Sequence, residues 1–191
     1  GLRRRVRDLA ARDITALDAG AWFGPDFRGT NVPSLASVLA WRPRRLGINV
    51  EVKTQGDPRG PSAYVGPLLR LVKRIPAGKL LVSSFDDRFL ARLHRTAPGV
   101  SLGCLYAPSR DRGRGPLALA RATGARVFIC SANQASPALV RAAHAGGLAV
   151  YVYGINTVRR ARLARTLAVD GIITDVPGRM RHSVIRTGRS Q

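Results

Sequence analysis

The chain has 191 residues, 45% of them apolar, and a formal charge of +21. That is enough material for one ordinary domain with its own core and without disulfide or metal staples, and the apolar share excludes a globally disordered chain. Thirty-two basic residues oppose eleven acidic ones, a balance that attracts polyanions. Yet the arginines scatter singly and in pairs, dense only at 2–7 and 110–114, with no stacking aromatics between them. This reads as compositional bias rather than a specific nucleic-acid surface. No run of about 18 apolar residues could span a membrane, and the basic stub at 2–7 lacks the apolar stretch of a signal peptide. Cys104 and Cys130 lie in strand-like runs and read as core thiols, which leaves the compartment open; cytoplasmic is the expectation.

In chain order, residues 1–16 are a basic lead-in and a short helix with Leu9, Ile14 and Leu17 on its apolar side. A loop rich in Gly, Pro and aromatics follows from Leu17, and its Trp22, Phe23 and Phe27 need something to pack against. Ser34 is placed to cap a helix carrying Leu35, Val38 and Leu39. In the run 47–56, Ile48, Val50 and Val52 alternate with Asn49, Glu51 and Lys53, the period of a β-strand over 48–53. Glu51 is the only glutamate of the chain, and it arrives with Lys53 at the carboxyl end of that strand, before the breakers Gly56, Pro58 and Gly60. A site is one reading of this pair; a buried structural Glu–Lys ion pair is the other.

Beyond it the period alternates regularly. Helices are predicted over 65–72, 87–96 (capped by Asp86), 116–123, 137–145 (Ser136, then Pro137) and 157–167 (capped by Thr157). Between them lie strands near 80–85, 101–106, 126–131, 148–155 and 171–174, with an Arg/Gly-rich loop at 108–115 and a frayed polar tail at 178–191. Apolar strands that alternate with helices imply a parallel sheet covered by helices. Ligand groups then gather at the carboxyl ends: Glu51, Lys53, Ser83 to Asp86, Tyr106, Ser131, Asn133, Tyr153, Asn156, Thr174 and Asp175. A TIM-type (β/α)8 barrel builds its chemistry there. The doubly wound alternative needs a phosphate-binding glycine loop that the sequence lacks. Only six strands are counted, against eight in a complete barrel.

The order of motifs resembles the glycerophosphodiester phosphodiesterase family. The matching pieces are LDAGAWFGPDFRGTNVPSLASVL, INVEVK, LLVSSFD, SPALVRAAHAGGLAVYVYGIN and VDGIITDVP. The resemblance implies a TIM barrel that uses a divalent cation, Mg²⁺ or Ca²⁺, to hydrolyse glycerophosphodiesters to glycerol 3-phosphate and an alcohol. It implies Glu51 as a metal ligand, Lys53 as a phosphate contact and Tyr153 as an aromatic lining the barrel mouth. It further implies that strands 3–8 are present, in a domain over 1–177 with 1–46 as a loop-and-helix region. The family's first two strands, with their catalytic histidines and most metal ligands, would precede Gly1. The chain is therefore expected to be an amino-terminally truncated, catalytically incomplete piece, with cation binding weakened and unpaired edges open to self-association. His94, His144 and His182 read as surface or packing residues and do not replace the missing pair. The alternative function is a non-catalytic basic module that binds phosphate or other anions, such as phospholipid head groups or nucleic acid.

Overall fold

A computed structural model of the chain describes residues 4–54, 57 and 59–184. Its contacts divide into two compact units, Gly1–Leu46 with Pro67–Arg74, and Gly47–Gly66 with Ile75–Gln191.

The first unit is built around Asp18. Helix α1 (Ala11–Thr15) leads into it, with Leu9, Ile14 and Leu17 half-buried as the pattern predicts. The Asp18 carboxylate accepts hydrogen bonds from the amides of Gly20 (2.8 Å), Ala21 (2.9 Å) and Gly29 (2.8 Å). The backbone of Asp18 also bridges antiparallel to Asn31. The aromatic loop is therefore held by defined bonds. Gly20 is required in it, because a Cβ there would come within 1.9 Å of the Phe27 carbonyl oxygen. Trp22, Phe23 and Phe27 pack edge-to-face on one another, at centroid separations of 5.6 and 5.0 Å. Ser34 caps helix α2 (Leu35–Trp41) by accepting from the Ser37 amide.

Helix α3 (Val65–Val72) begins in the second unit and runs into the first, burying Val65, Leu68 and Val72. The second unit otherwise alternates strand and helix: β1 (Ile48–Glu51), β2 (Leu80–Ser84), α4 (Asp87–Thr96), β3 (Ser101–Leu105), α5 (Pro108–Asp111), α6 (Pro116–Thr123), β4 (Val127–Ser131), α7 (Pro137–Ala145), β5 (Ala149–Tyr153), α8 (Val158–Thr166), β6 (Gly171–Ile173) and α9 (Pro177–Val184). All six strands are parallel and hydrogen-bond in chain order. That order excludes the doubly wound sheet, whose strand order reverses at a switch point. Right-handed crossovers between sequential neighbours put every helix on one face, and the helices do lie against that face, α4 on β2 and β3, α6 on β3 and β4, α7 on β5. The other face is the concave interior of a barrel arc.

Phe89, Leu90, Leu93, Leu119, Phe128, Val150 and Val152 are fully buried between helices and sheet; each stabilises the fold by about 1.5–3 kcal/mol. Cys104 and Cys130 are free thiols in this core, pushed up to about 12 and about 11 by burial. On the interior face Asn49, Leu81, Ser101, Val127 and Tyr151 line a cleft of about 340 Å³ at the amino ends of the strands. Gly103 and Gly171 let it pack, since a Cβ on either would come within 2.8 Å of Ile129 or of the Tyr151 ring. Among the described residues β1 and β6 each pair with a single strand.

The structure corrects three expectations. β1 ends at Glu51, so Lys53 stands two residues past the strand. The loop 108–115 contains α5. Residues 178–184 of the supposed frayed tail belong to α9, because Met180 is 2% exposed and anchors an otherwise polar stretch. Gly56, Pro58 and residues 185–191 lie outside the described residues.

Candidate functional site

The carboxyl ends of the six strands form one rim, and Glu51 closes β1 on it. The Lys53 ammonium lies 3.2 Å from Glu51 Oε1. Their side chains are 71% and 35% exposed, so the buried-pair reading fails. The ion pair exists, but it faces solvent, where such a pair contributes about 0–1 kcal/mol. A pair this weak leaves both charges available to a ligand.

Neighbouring polar groups fix the chain on either side of the pair. Below Glu51, Ser83 donates to Asn49 Oδ1 at 3.0 Å. Past the strand, Ser84 Oγ donates to the Val52 carbonyl at 2.7 Å, and Thr54 Oγ1 donates to Asp86 Oδ2 at 2.5 Å. Asp86 also caps α4 through the amides of Arg88 and Phe89. Further along, Arg59 and the Tyr64 hydroxyl, 2.6 Å away, converge on Asp57. The Arg59 hydrogen bond first, then that of Tyr64, holds the Asp57 carboxyl far below the usual carboxylate range. Neither Thr54 nor the Asp57–Arg59–Tyr64 cluster stands out in the sequence. An Asp two residues before an Arg is their only local signal.

Across the rim, Tyr153 ends β5, half-buried and in register between Ser131 and Ile173. Other rim residues are occupied with one another. Asn156 donates to Asp175 Oδ2 at 2.6 Å and accepts from Thr174 Oγ1 and the Asp175 amide, tying the ends of β5 and β6. Arg160 bonds the Gly154 carbonyl and Asn133 Oδ1. These residues position loops. The histidines lie elsewhere: the His94 ring packs beside Gly124, ahead of β4, and His144 Nε2 is 2.9 Å from Asp170, ahead of β6. Both are at the amino ends of the strands, opposite the rim. His182 lies in α9.

The glycerophosphoryl diester phosphodiesterase family profile matches residues 1–179. The chain belongs to that family. The Bacillus subtilis (strain 168) protein YhdW is 26% identical to this family member over 176 residues, which is 90% of this chain and 70% of that protein. A crystal structure of a Silicibacter pomeroyi protein superposes with a TM-score of 0.78 at 25% identity, covering 97% of this chain and 70% of that one. An Oleispira antarctica phosphodiesterase, solved in complex with its product sn-glycerol-3-phosphate, shares the fold with a TM-score of 0.78 at 19% identity, covering 94% of this chain and 72% of its own. The arc of this phosphodiesterase-family chain is thus part of a TIM-type barrel.

Members of this family bind a divalent metal, and the donor set here can be tested against that need. Among the described residues no group of three His, Cys, Asp or Glu side chains is close enough to hold an ion. Glu51 offers one hard carboxylate with an ammonium beside it. A hard cation takes six or more oxygen ligands, with waters and substrate supplying what carboxylates do not. These residues alone therefore do not fit a metal centre. Among the described residues no helix is long and apolar enough to cross a membrane.

Proposed function

We propose that this chain acts on glycerophosphodiesters as the phosphate-recognising part of a phosphodiesterase barrel whose products are glycerol 3-phosphate and an alcohol. The observation that carries this reading is the Glu51–Lys53 pair, solvent-facing and weakly held on the rim of six parallel strand ends. Family membership and the fold shared with a glycerol-3-phosphate-bound phosphodiesterase support it. In this reading Lys53 meets a phosphoryl oxygen as a compact point charge, and the Tyr153 ring lines the mouth against the glycerol. Glu51 contributes one ligand to a divalent cation, Mg²⁺ or Ca²⁺. The six strands take positions three to eight of an eight-stranded barrel, so that a family-type domain covers residues 1–177. The single-partnered edges β1 and β6 are then surfaces for further strands or for self-association.

The direct test is titration of glycerol 3-phosphate at fixed ionic strength into the wild type and Lys53→Ala. The expected result is saturable binding that Lys53→Ala weakens at least tenfold. Equal affinities would remove Lys53 from the site. A second reading, a non-catalytic module attracted to phospholipid head groups or nucleic acid, rests on the +21 charge. It requires binding that falls steeply with salt and ignores Lys53.

A further inference from the structure

Past the end of β2, the ring of Phe85 seats a second cation of the rim. The β1–β2 pairing continues beyond the last ladder residues, Glu51 opposite Ser83: the Val52 amide donates to the Ser83 carbonyl, Ser84 to the Val52 carbonyl, and Thr54 to Asp86. Carried two residues on from Glu51 opposite Ser83, this register sets Lys53 opposite Phe85. Over that half-buried ring sits Arg110, its Cζ 6.0 Å from the centroid. Arg110 lies in the last turn of α5, on the connection that leaves the rim end of β3.

The charges around Arg110 leave it open. Asp111 turns away, with Oδ2 bound to the Ala107 amide and Oδ1 3.7 Å from Arg114. Arg114 also holds Asp87 at 2.6 Å. Arg110 itself is exposed and makes no ion pair among the described residues. Arg114 and the backbone hold the local carboxylates, with Arg110 adding only a coulombic attraction to Asp111, and Arg110 is kept on an aromatic face, where cation–π attraction orients it.

We propose that Arg110, seated over Phe85 beside Lys53, binds a second anionic group on the alcohol half of the substrate. The preferred substrates are then glycerophosphodiesters whose alcohol carries a carboxylate or a phosphate. Diesters of quaternary amines are disfavoured. A guanidinium offers paired N–H donors that match the two oxygens of a carboxylate or phosphate. A trimethylammonium group would need the same aromatic face that Arg110 covers and would meet like charge there. This inference rests on the assignment of the phosphate to Lys53, and the experiment separates the two.

Glycerophosphoserine and glycerophosphoethanolamine differ by one carboxylate. Both, with glycerophosphocholine and glycerol 3-phosphate, are titrated calorimetrically into the wild type, Arg110→Ala, Arg110→Lys and Lys53→Ala at fixed ionic strength. Arg110 is on the surface, so its variants should fold, and circular dichroism checks that they do. The wild type should bind the serine diester about tenfold more tightly than the ethanolamine diester, the gain of one charge-assisted contact. Arg110→Ala should reduce that ratio to about twofold or less, improve binding of the choline diester, and leave glycerol 3-phosphate unchanged. Arg110→Lys should retain an intermediate preference. Equal binding of the serine and ethanolamine diesters by the wild type overturns the proposal. So does uniform weakening of all four ligands by Arg110→Ala, the mark of a diffuse field. Absence of Lys53-dependent glycerol 3-phosphate binding instead overturns the phosphate assignment, and this inference falls with it.

Discussion

Thr54 donates its hydroxyl to Asp86 Oδ2 at 2.5 Å, joining residues 32 apart in sequence just beyond the ends of β1 and β2. The other oxygen of the same carboxylate caps α4. One aspartate therefore ties the segment that carries Lys53 to the first turn of a core helix. Asp86→Ala should remove a cap, at about 0.5–2 kcal/mol, and leave the Thr54 hydroxyl buried without a partner, at about 1–3 kcal/mol. Urea denaturation should show a loss of about 2–4 kcal/mol. Thr54→Val, which keeps the cap but leaves Asp86 Oδ2 buried without this donor, should lose about 1–3 kcal/mol. A variant Asp86→Ala within about 0.5 kcal/mol of the wild type would show that the junction stabilises nothing.

Asp18 makes a prediction about acid. The hydrogen bond from the Gly29 amide, then those from Ala21 and Gly20, hold its carboxyl below the ordinary range. A folded pKa below the unfolded value of about 3.9 means a stabilising contribution fully present above about pH 4. That contribution is lost as pH falls through the folded pKa. Followed by NMR, the Gly29 amide shift should titrate with a midpoint clearly under 3.9, and the pH dependence should vanish in Asp18→Asn. A midpoint at or above the ordinary value would refute the three-amide cage.

The contrast between these residues and the strands shows what a sequence can carry. Each strand was legible because it is a short apolar run, and helices α4, α7 and α8 because Asp86, Ser136 and Thr157 stand at their starts. Parallel order followed from alternation alone. Helix α9 escaped because its anchor is the single residue Met180. Helix α5 is one turn long within an Arg/Gly-rich stretch. The candidate site is half legible. Glu51 and Lys53 are adjacent in the strand period, whereas Arg110 meets Phe85 and Thr54 meets Asp86 only through folding. The scattered arginines read as compositional bias, but one among twenty-nine, distinguished by its aromatic seat, carries the specific inference.

Glu51 competes for the ammonium that a phosphate would use. Without divalent cation, Glu51→Gln should tighten glycerol 3-phosphate binding about two- to fivefold, the value of one exposed ion pair. Unfolding free energy should stay within about 0.5 kcal/mol of the wild type. An affinity unchanged in Glu51→Gln would show that the carboxylate does not hold the ammonium away from the phosphate.

Catalysis gives the last prediction. Hydrolysis of a phosphodiester needs a proton for the leaving alkoxide and stabilisation of charge on the phosphoryl oxygens. In the proposed reading Glu51 and Lys53 bind and orient, but His94 and His144 face the opposite end of the strands. General acid–base catalysis typically contributes about 10²- to 10⁴-fold, and groups that act as a unit leave no proportionate remainder when some are missing. The 191-residue chain should therefore show no cation-dependent hydrolysis of glycerophosphoserine above the buffer rate. Fusing two strand–helix units of a family barrel to its amino end, the number that completes eight, should produce hydrolysis that requires both Glu51 and a divalent cation. If the fusion works equally well with Glu51→Gln, the ligand assignment fails. If the short chain turns over by itself and Glu51→Gln abolishes it, the acid–base groups are already on the rim and the division of the site proposed above is wrong.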